Sequence, residues 1–282
     1  MNPKLWVSFS GGRTSAYMTK KLLDEFSSQY DIRVVFANTG QEDDRTLAFV
    51  DACDKVFGFN TVWLEAEVSP EKGRGTTFRV VDFATASRDG RPFRDVVAKY
   101  GVSNPAYPHC TRELKLQPMR SYIRSIGWSD ASVAVGIRAD EARRVAHDAA
   151  KHRVVYPLID WFPTDKEDAN TWWGDQQFQL GLEEYQGNCV WCWKKSDPKL
   201  IRMAQERPEV FDFPAELERT YGGLGCTPDT SRVFFRRGRS AEDILALSQA
   251  VGPAVGRPPT GEFIGGCGET CEINFDDLEE LL

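Results

Sequence analysis

The sequence predicts an α/β fold: a doubly wound, mostly parallel sheet followed by a small helical, cysteine-bearing C-terminal module. Three observations predict it. Short apolar runs alternate with amphipathic stretches of helical length through the first half. A Ser-Gly-Gly turn joins the first apolar run to the first helix. From Gly187 onward the rhythm gives way to a cysteine pair, short helices, a Gly/Pro-rich stretch and an acidic tail.

Residues 4–9 read as a buried strand, and 14–26 as a helix with apolar positions at Tyr17, Met18, Leu22, Leu23 and Phe26. A second strand is expected over 32–37, an amphipathic helix over 44–57 and a third strand over 60–65. A helix over 114–126 and a strand over 132–137 continue the alternation. Residues 66–108 contain Lys72-Gly73-Arg74-Gly75 and several prolines, and read as an insertion or lid. The expected division is a nucleotide-binding domain over 1–186 and a cysteine-rich module over 187–282, with short helices near 198–206 and 241–250. In such folds ligands sit beyond the carboxyl ends of the strands, where strand order reverses.

The 282 residues are 41% apolar, ample for a core, and contain no apolar run long enough to span a bilayer. The amino terminus lacks the apolar stretch of a secretory signal, which predicts a cytoplasmic protein. A net charge of −7 argues against broad nucleic-acid binding through the phosphate backbone. Arg232, Arg236, Arg237 and Arg239 leave a local contact open beside the simpler reading of a solvated basic turn. The seven cysteines are Cys53, Cys110, Cys189, Cys192, Cys226, Cys267 and Cys271. An odd number in a cytoplasmic chain favours metal or redox work over disulfides.

Ser10-Gly11-Gly12-Arg13-Thr14-Ser15 carries the clearest chemistry. Strand, glycine turn and helix start gather backbone N–H groups and a helix dipole around one point, which makes an anion cradle. Ser10, Thr14 and Ser15 add hydroxyls, and Arg13 adds a charge suited to phosphate. The common G-x-x-x-x-G-K-[ST] phosphate loop is absent. Asn38-Thr39-Gly40, followed by Gln41 and Glu42, ends the second strand and suits adenosine contact or phosphate orientation. The competing reading is an ordinary turn with Asp44 capping the next helix. Arg138 and Arg143, beyond the strand at 132–137, can offset charge on a transferring phosphoryl group, although Asp140 and Arg144 also form a routine surface pair.

Cys189-Val190-Trp191-Cys192 is a C-x-x-C, and Cys110 lies at an expected helix start where Arg112 and Lys115 favour its thiolate. A redox dithiol and two ligands of a metal centre both fit the pair. Zinc could take four such cysteines, while the aromatic surroundings favour an iron–sulfur cluster. Cys267 and Cys271 form another close pair in the tail.

In this order the segments resemble the phosphoadenosine phosphosulfate (PAPS) reductase family of PP-loop proteins. The resemblance rests on Ser10 to Ser15, Asn38-Thr39-Gly40 with Glu42, Cys110-Thr111-Arg112-Glu113-Leu114-Lys115-Leu116-Gln117-Pro118, residues 136–144, and Tyr156-Pro157-Leu158-Ile159-Asp160-Trp161. It implies that Ser10, Gly11, Gly12, Arg13, Thr14 and Ser15 hold the phosphates of ATP or PAPS, with Mg²⁺ as an admissible companion. Asn38, Thr39 and Gly40 would then contact the adenine nucleotide, and Arg138 and Arg143 would offset charge.

Cys110-Thr111 and residues 187–192 resemble the cluster-bearing members, namely adenylylsulfate reductases and the sulfurtransferase of DNA phosphorothioation. These imply a [4Fe–4S] cluster on Cys110, Cys189 and Cys192, with Cys271 or Cys267 as fourth ligand or sulfur carrier. Three departures stand out. Cys110 is followed by Thr111 where adenylylsulfate reductases pair cysteines. Arg13-Thr14 replaces a common Lys-Asp, and no histidine follows Cys267-Gly268.

The implied activity is an ATP pyrophosphatase that adenylates an acceptor and thiolates it. The alternatives are a sulfonucleotide reductase using a tail thiol, and a nucleotide-binding regulatory protein with a structural metal site. The implied partners are a sulfur donor or thioredoxin-like reductant, and a nucleic-acid acceptor presented by a partner protein.

Overall fold

The computed structural model describes residues 2–252 except Lys72, Glu184, Pro228 and Asp229. The expected tail pair, Cys267 and Cys271, lies outside the described residues. The chain begins β1 (Lys4–Ser8), α1 (Arg13–Phe26), β2 (Asp31–Asn38), α2 (Asp44–Phe57) and β3 (Val62–Val68), following the expected alternation. Then come β4 (Thr76–Val81), α3 (Arg91–Tyr100), a π-helix over Cys110–Leu116 that runs into α4 (Gln117–Ser125), and β5 (Ser132–Ala134). A 3₁₀ turn over Ala139–Arg144 leads to β6 (Val154–Val155), α5 (Pro157–Asp160) and α6 (Lys166–Gly174). The last helices are α7 (Asp197–Glu206), α8 (Asp212–Tyr221) and α9 (Ala241–Ala250).

The six strands lie in the order β4-β3-β2-β1-β5-β6. All neighbours are parallel except β3 and β4, which pair antiparallel from Trp63–Val81 to Val68–Thr76. The chain adds β2 and β3 on one side of β1, then returns to add β5 and β6 on the other. Strand order therefore reverses at β1 and β5, and the crevice beyond their carboxyl ends is where such a fold binds ligands.

Both faces of the sheet are covered, which is why its strands read as apolar runs. Leu5 and Val7 of β1 pack with Met18 and Leu22 of α1 and with Leu47 and Val50 of α2. Trp6, from the alternate position, packs on the other face with Leu116 and with Met119 and Ile123 of α4. A third cluster joins Phe93, Val96 and Val97 of α3 and Leu114 of the π-helix to Trp191, Trp193 and helices α7, α8 and α9. Trp191 is fully buried, its ring 4.9 Å from Phe93 and 4.8 Å from Phe234. The region after 187 thus builds its core on α3 and the π-helix.

Three features differ from expectation. Residues 66–108 hold the end of β3, all of β4 and α3. As an edge strand with exposed Val80, β4 gives only weak alternation between its Gly-rich and polar flanks. The helix expected at 114 starts at Cys110 in π geometry, closed by an i→i+5 bond from the Gln117 N–H to the Arg112 carbonyl. Finally, Asp43 rather than Asp44 caps α2, accepting from the Arg45 N–H at 3.1 Å. Among the described residues no helix is long and apolar enough to cross a membrane.

Candidate nucleotide site and thiol cleft

The loop from Ser10 to Ser15 sits at the strand-order reversal, where β1 feeds α1. Gly11 has φ +78°, a left-handed conformation that suits glycine, and a Cβ there would lie 2.8 Å from the Thr46 methyl. Ser15 closes the loop: its hydroxyl donates to the Gly12 carbonyl at 3.1 Å and lies 2.8 Å from the Ser10 hydroxyl. It also accepts from the Ser10 N–H. Gly12 is the N-cap of α1 and supplies no side-chain cap, and the first turn holds no acidic residue. The positive end of the helix dipole is left available to an anion.

Arg138 reaches this loop from beyond β5. Its Nη1 donates to the Thr14 hydroxyl at 3.3 Å, while Nε and Nη2 grip Asp140 at 2.9 and 3.0 Å. Two segments 124 residues apart thus meet at one helix N-terminus, with a buried, fixed cation beside it. Asp140, despite some burial, is held below the usual carboxylate range by Arg138. Arg143 is exposed on the same 3₁₀ turn. Arg13 occupies the first position of α1, its carbonyl accepting from the Trp173 indole at 2.8 Å.

At the end of β2, Asn38 is wholly buried and anchors the turn. Its amide donates to Glu65 Oε1 at 2.7 Å and to the Ser87 carbonyl at 2.9 Å, and its Oδ1 accepts the Gly40 N–H at 3.1 Å. Glu65 is itself fully buried and paired with Arg79 and Arg91. The sequence does not reveal this network; its one signal there is a lone carboxylate in Val62-Trp63-Leu64-Glu65-Ala66. Thr39 is bound by Glu42, whose carboxylate accepts both its N–H and its hydroxyl at 2.8 Å. Burial pushes the Glu42 carboxyl upward, against the opposing pull of Lys115 and Thr39.

The C-x-x-C turn is stitched to this same strand end. The Asp43 N–H donates to the Asn188 carbonyl at 2.8 Å, the Val190 N–H to the Gln41 carbonyl at 3.0 Å, and the Trp191 indole to Gln41 Oε1 at 2.6 Å. Glu42 and Cys189 form an isolated antiparallel bridge. Beneath the turn, the buried Lys195 ammonium donates to the carbonyls of Cys189 and Val190 at 2.9 and 2.6 Å.

Cys110, Cys189 and Cys192 line one small cleft with Thr39, Lys115 and Trp193. The Trp193 indole donates to Cys110 Sγ at 3.3 Å. The preceding His109 packs near the Tyr100 and Tyr107 rings, and burial, aided by Arg112, lowers its imidazole to about 4, keeping it neutral near pH 7. The structure thus brings together the phosphate loop with Arg138, and the three thiols with Thr39. A set of cysteine donors suits iron–sulfur or zinc chemistry. Among the described residues, however, no three His, Cys, Asp or Glu side chains are close enough together to hold a metal ion. Cys53 is buried on α2, where burial pushes its thiol well above the usual range.

The profile of the phosphoadenosine phosphosulfate reductase domain matches residues 4–168. An uncharacterized nin region protein of Escherichia phage lambda is 32% identical, over 97% of this chain and 96% of its own length. An uncharacterized protein of Methanocaldococcus jannaschii is 22% identical over 77% of this chain and 48% of its own length. A solved structure described as a predicted subunit of tRNA methyltransferase from Methanocaldococcus jannaschii aligns at TM-score 0.34 and 14% identity, covering 84% of this chain and 100% of its own.

Proposed function

The chain belongs to the phosphoadenosine phosphosulfate reductase domain family, and from that premise we propose that it is an ATP pyrophosphatase that activates an acceptor for sulfur transfer. One observation carries the reading: the uncapped α1 N-terminus, with Gly11 and the Ser10–Ser15 hydroxyl pair, lies at the strand-order reversal with Arg138 locked against Thr14. Ser10, Gly11, Gly12, Arg13, Thr14 and Ser15 hold the β,γ-phosphates. Thr39 and Gly40, set by Asn38, meet the nucleoside, and Arg138 and Arg143 offset charge at the reacting phosphorus.

An oxygen of the acceptor attacks the α-phosphorus of ATP, the α–β anhydride bond breaks, and pyrophosphate leaves with the electron pair. The terminal sulfur of a persulfide donor then attacks the activated carbon, and AMP departs with the electrons of the C–O bond. A second thiol of the donor attacks the donor's own sulfur in the resulting mixed disulfide, so that the S–S bond breaks, the acceptor leaves as a thiolate and the donor is left as a disulfide. The thiol cleft opens beside Thr39, which supports delivery of sulfur from that side. A [4Fe–4S] cluster on Cys110, Cys189 and Cys192, with Cys271 or Cys267 as fourth ligand, would supply sulfur-binding iron there.

Turnover tests the reading directly. Pyrophosphate release from ATP, dependent on acceptor, supports it. Sulfite release from PAPS or adenylylsulfate replaces it with sulfonucleotide reduction, and tight nucleotide binding without turnover replaces it with a regulatory role. Serine at Cys110, Cys189 or Cys192 is expected to remove iron and sulfide from anaerobically purified protein, while Cys53→Ser retains them. Stoichiometric zinc without sulfide would overturn the cluster.

A further inference from the structure

We infer that Asn188 is a positioning residue that orients the Gly11 N–H of the phosphate loop and links occupancy of that loop to the C-x-x-C turn. The inference rests on the nucleotide reading above and assigns the connection between its two halves. Asn188 is 4% exposed, and its Nδ2 donates to the Ser10 carbonyl at 2.8 Å across 178 residues of chain. The Ser10 carbonyl and the Gly11 N–H belong to one planar trans peptide and point in opposite directions. Holding the carbonyl toward Asn188 therefore turns the Gly11 N–H to the other side of the peptide. An anion cradle depends on such fixed N–H directions.

The same residue starts the thiol turn. Its carbonyl accepts the Asp43 N–H, and the next residue, Cys189, bridges Glu42. Any shift of the Ser10–Gly11 peptide upon phosphate binding is thus transmitted through one side chain to the backbone that carries Cys189. Among the described residues Asn188 Oδ1 is buried and has no hydrogen-bond partner, so the Nδ2 bond to the Ser10 carbonyl is what fixes the side chain's orientation. Coupling of this kind is reciprocal: a ligand that tightens the phosphate loop tightens the turn, and the converse holds.

Hydrogen–deuterium exchange with ATP and with inorganic pyrophosphate, alongside calorimetry, tests this. In the wild-type protein, saturating ligand is expected to slow exchange in peptides covering 8–16 and also 186–196. Asn188→Asp sets an acceptor against the Ser10 carbonyl. It is expected to raise the ATP Kd about tenfold and to lose protection of 186–196 at saturating ligand while 8–16 stays protected. If ATP protects 8–16 but not 186–196 in the wild type, the coupling is wrong, whatever the variant does. Unchanged affinity and protection in a folded Asn188→Asp remove the positioning role. Absence of any ATP binding removes the nucleotide reading itself, a result calorimetry separates from the other two.

Discussion

In the phosphate loop, Ser10, Gly12 and Ser15 hold one another across five residues or fewer, while the thiol turn is held by Ser10, Gln41 and Asp43, more than 140 positions away. The two regions lie at the same end of the sheet and touch through Asn188. The first is mainly a local device: a left-handed glycine, a pair of hydroxyls and a helix start set its shape, and Asn188 alone reaches in from afar to hold its Ser10–Gly11 peptide. The second takes its shape from the finished fold, through the aromatic cluster around Trp191 and the bonds to Ser10, Gln41 and Asp43. Damage to the core should therefore deform the thiol side first, and damage to the loop should silence phosphate chemistry while leaving the fold intact.

The largest expected effect tests the dependent side. Trp191→Ala removes a fully buried ring packed on Phe93 and Phe234, and is expected to destabilise the protein by about 3–5 kcal/mol. Thermal melting should show the loss, and exchange should rise in 186–196 more than in 8–16. Equal loosening of both segments would break the distinction. Next, Ser10→Ala or Arg13→Ala should lower nucleotide turnover by about 10²–10³-fold with the melting temperature nearly unchanged. Wild-type turnover in both variants removes the phosphate assignment.

A smaller effect sits at the join. Burial disfavours the Asp43 carboxylate, but hydrogen bonds from Arg45 and Arg207 outweigh it and hold its pKa at about 2, against 3.8 ordinarily. Because the folded value is depressed, its contribution is fully present above pH 3.8 and is lost as pH falls toward 2. That contribution is on the order of 2 kcal/mol. Asp43→Asn should remove it at neutral pH and flatten this part of the acid limb in denaturation measured from pH 5 to pH 2. An unchanged limb would show that the join carries no stabilising charge pair.

The same contrast explains what could be read from the chain. The β1–loop–α1 unit was legible because its signals are sequential: an apolar run, two glycines, hydroxyls and an amphipathic stretch. The 44–57 helix was legible for its periodicity, though the neighbouring aspartates left its cap one residue out. Thr76–Val81 is not legible as a strand because an edge strand needs no apolar face on its exposed positions. Asn38 reads as a nucleotide contact, and its bonds run to Gly40 in its own turn, to Glu65 through β2–β3 pairing and to Ser87 on the β4–α3 connection, the last two of which the chain order does not reveal. The roles of Asn188 and Gln41 are hidden for a related reason, since each is defined by a backbone group far away in sequence. The family resemblance implies that Cys110 and the C-x-x-C come together, and in the fold they line one cleft. The packing of α3, the π-helix and Trp193 is what produces it.

Chain length, as well as residue type, sets where Cys110 sits. The wide i→i+5 winding of Cys110–Leu116 places Cys110 and Lys115, five positions apart, on the same cleft wall, whereas 3.6 residues per turn would swing them apart. Deleting one residue between Cys110 and Lys115 would let the segment relax to α-helical winding while Met119 and Ile123 stay seated in the core, and would set the pair four positions apart, still on one face. Rewinding the segment as an α-helix at its full length would instead swing the thiol off the wall. A frame-preserving loss of a single codon here would thus spare both the sheet and the cleft wall, where a change of winding at constant length would not.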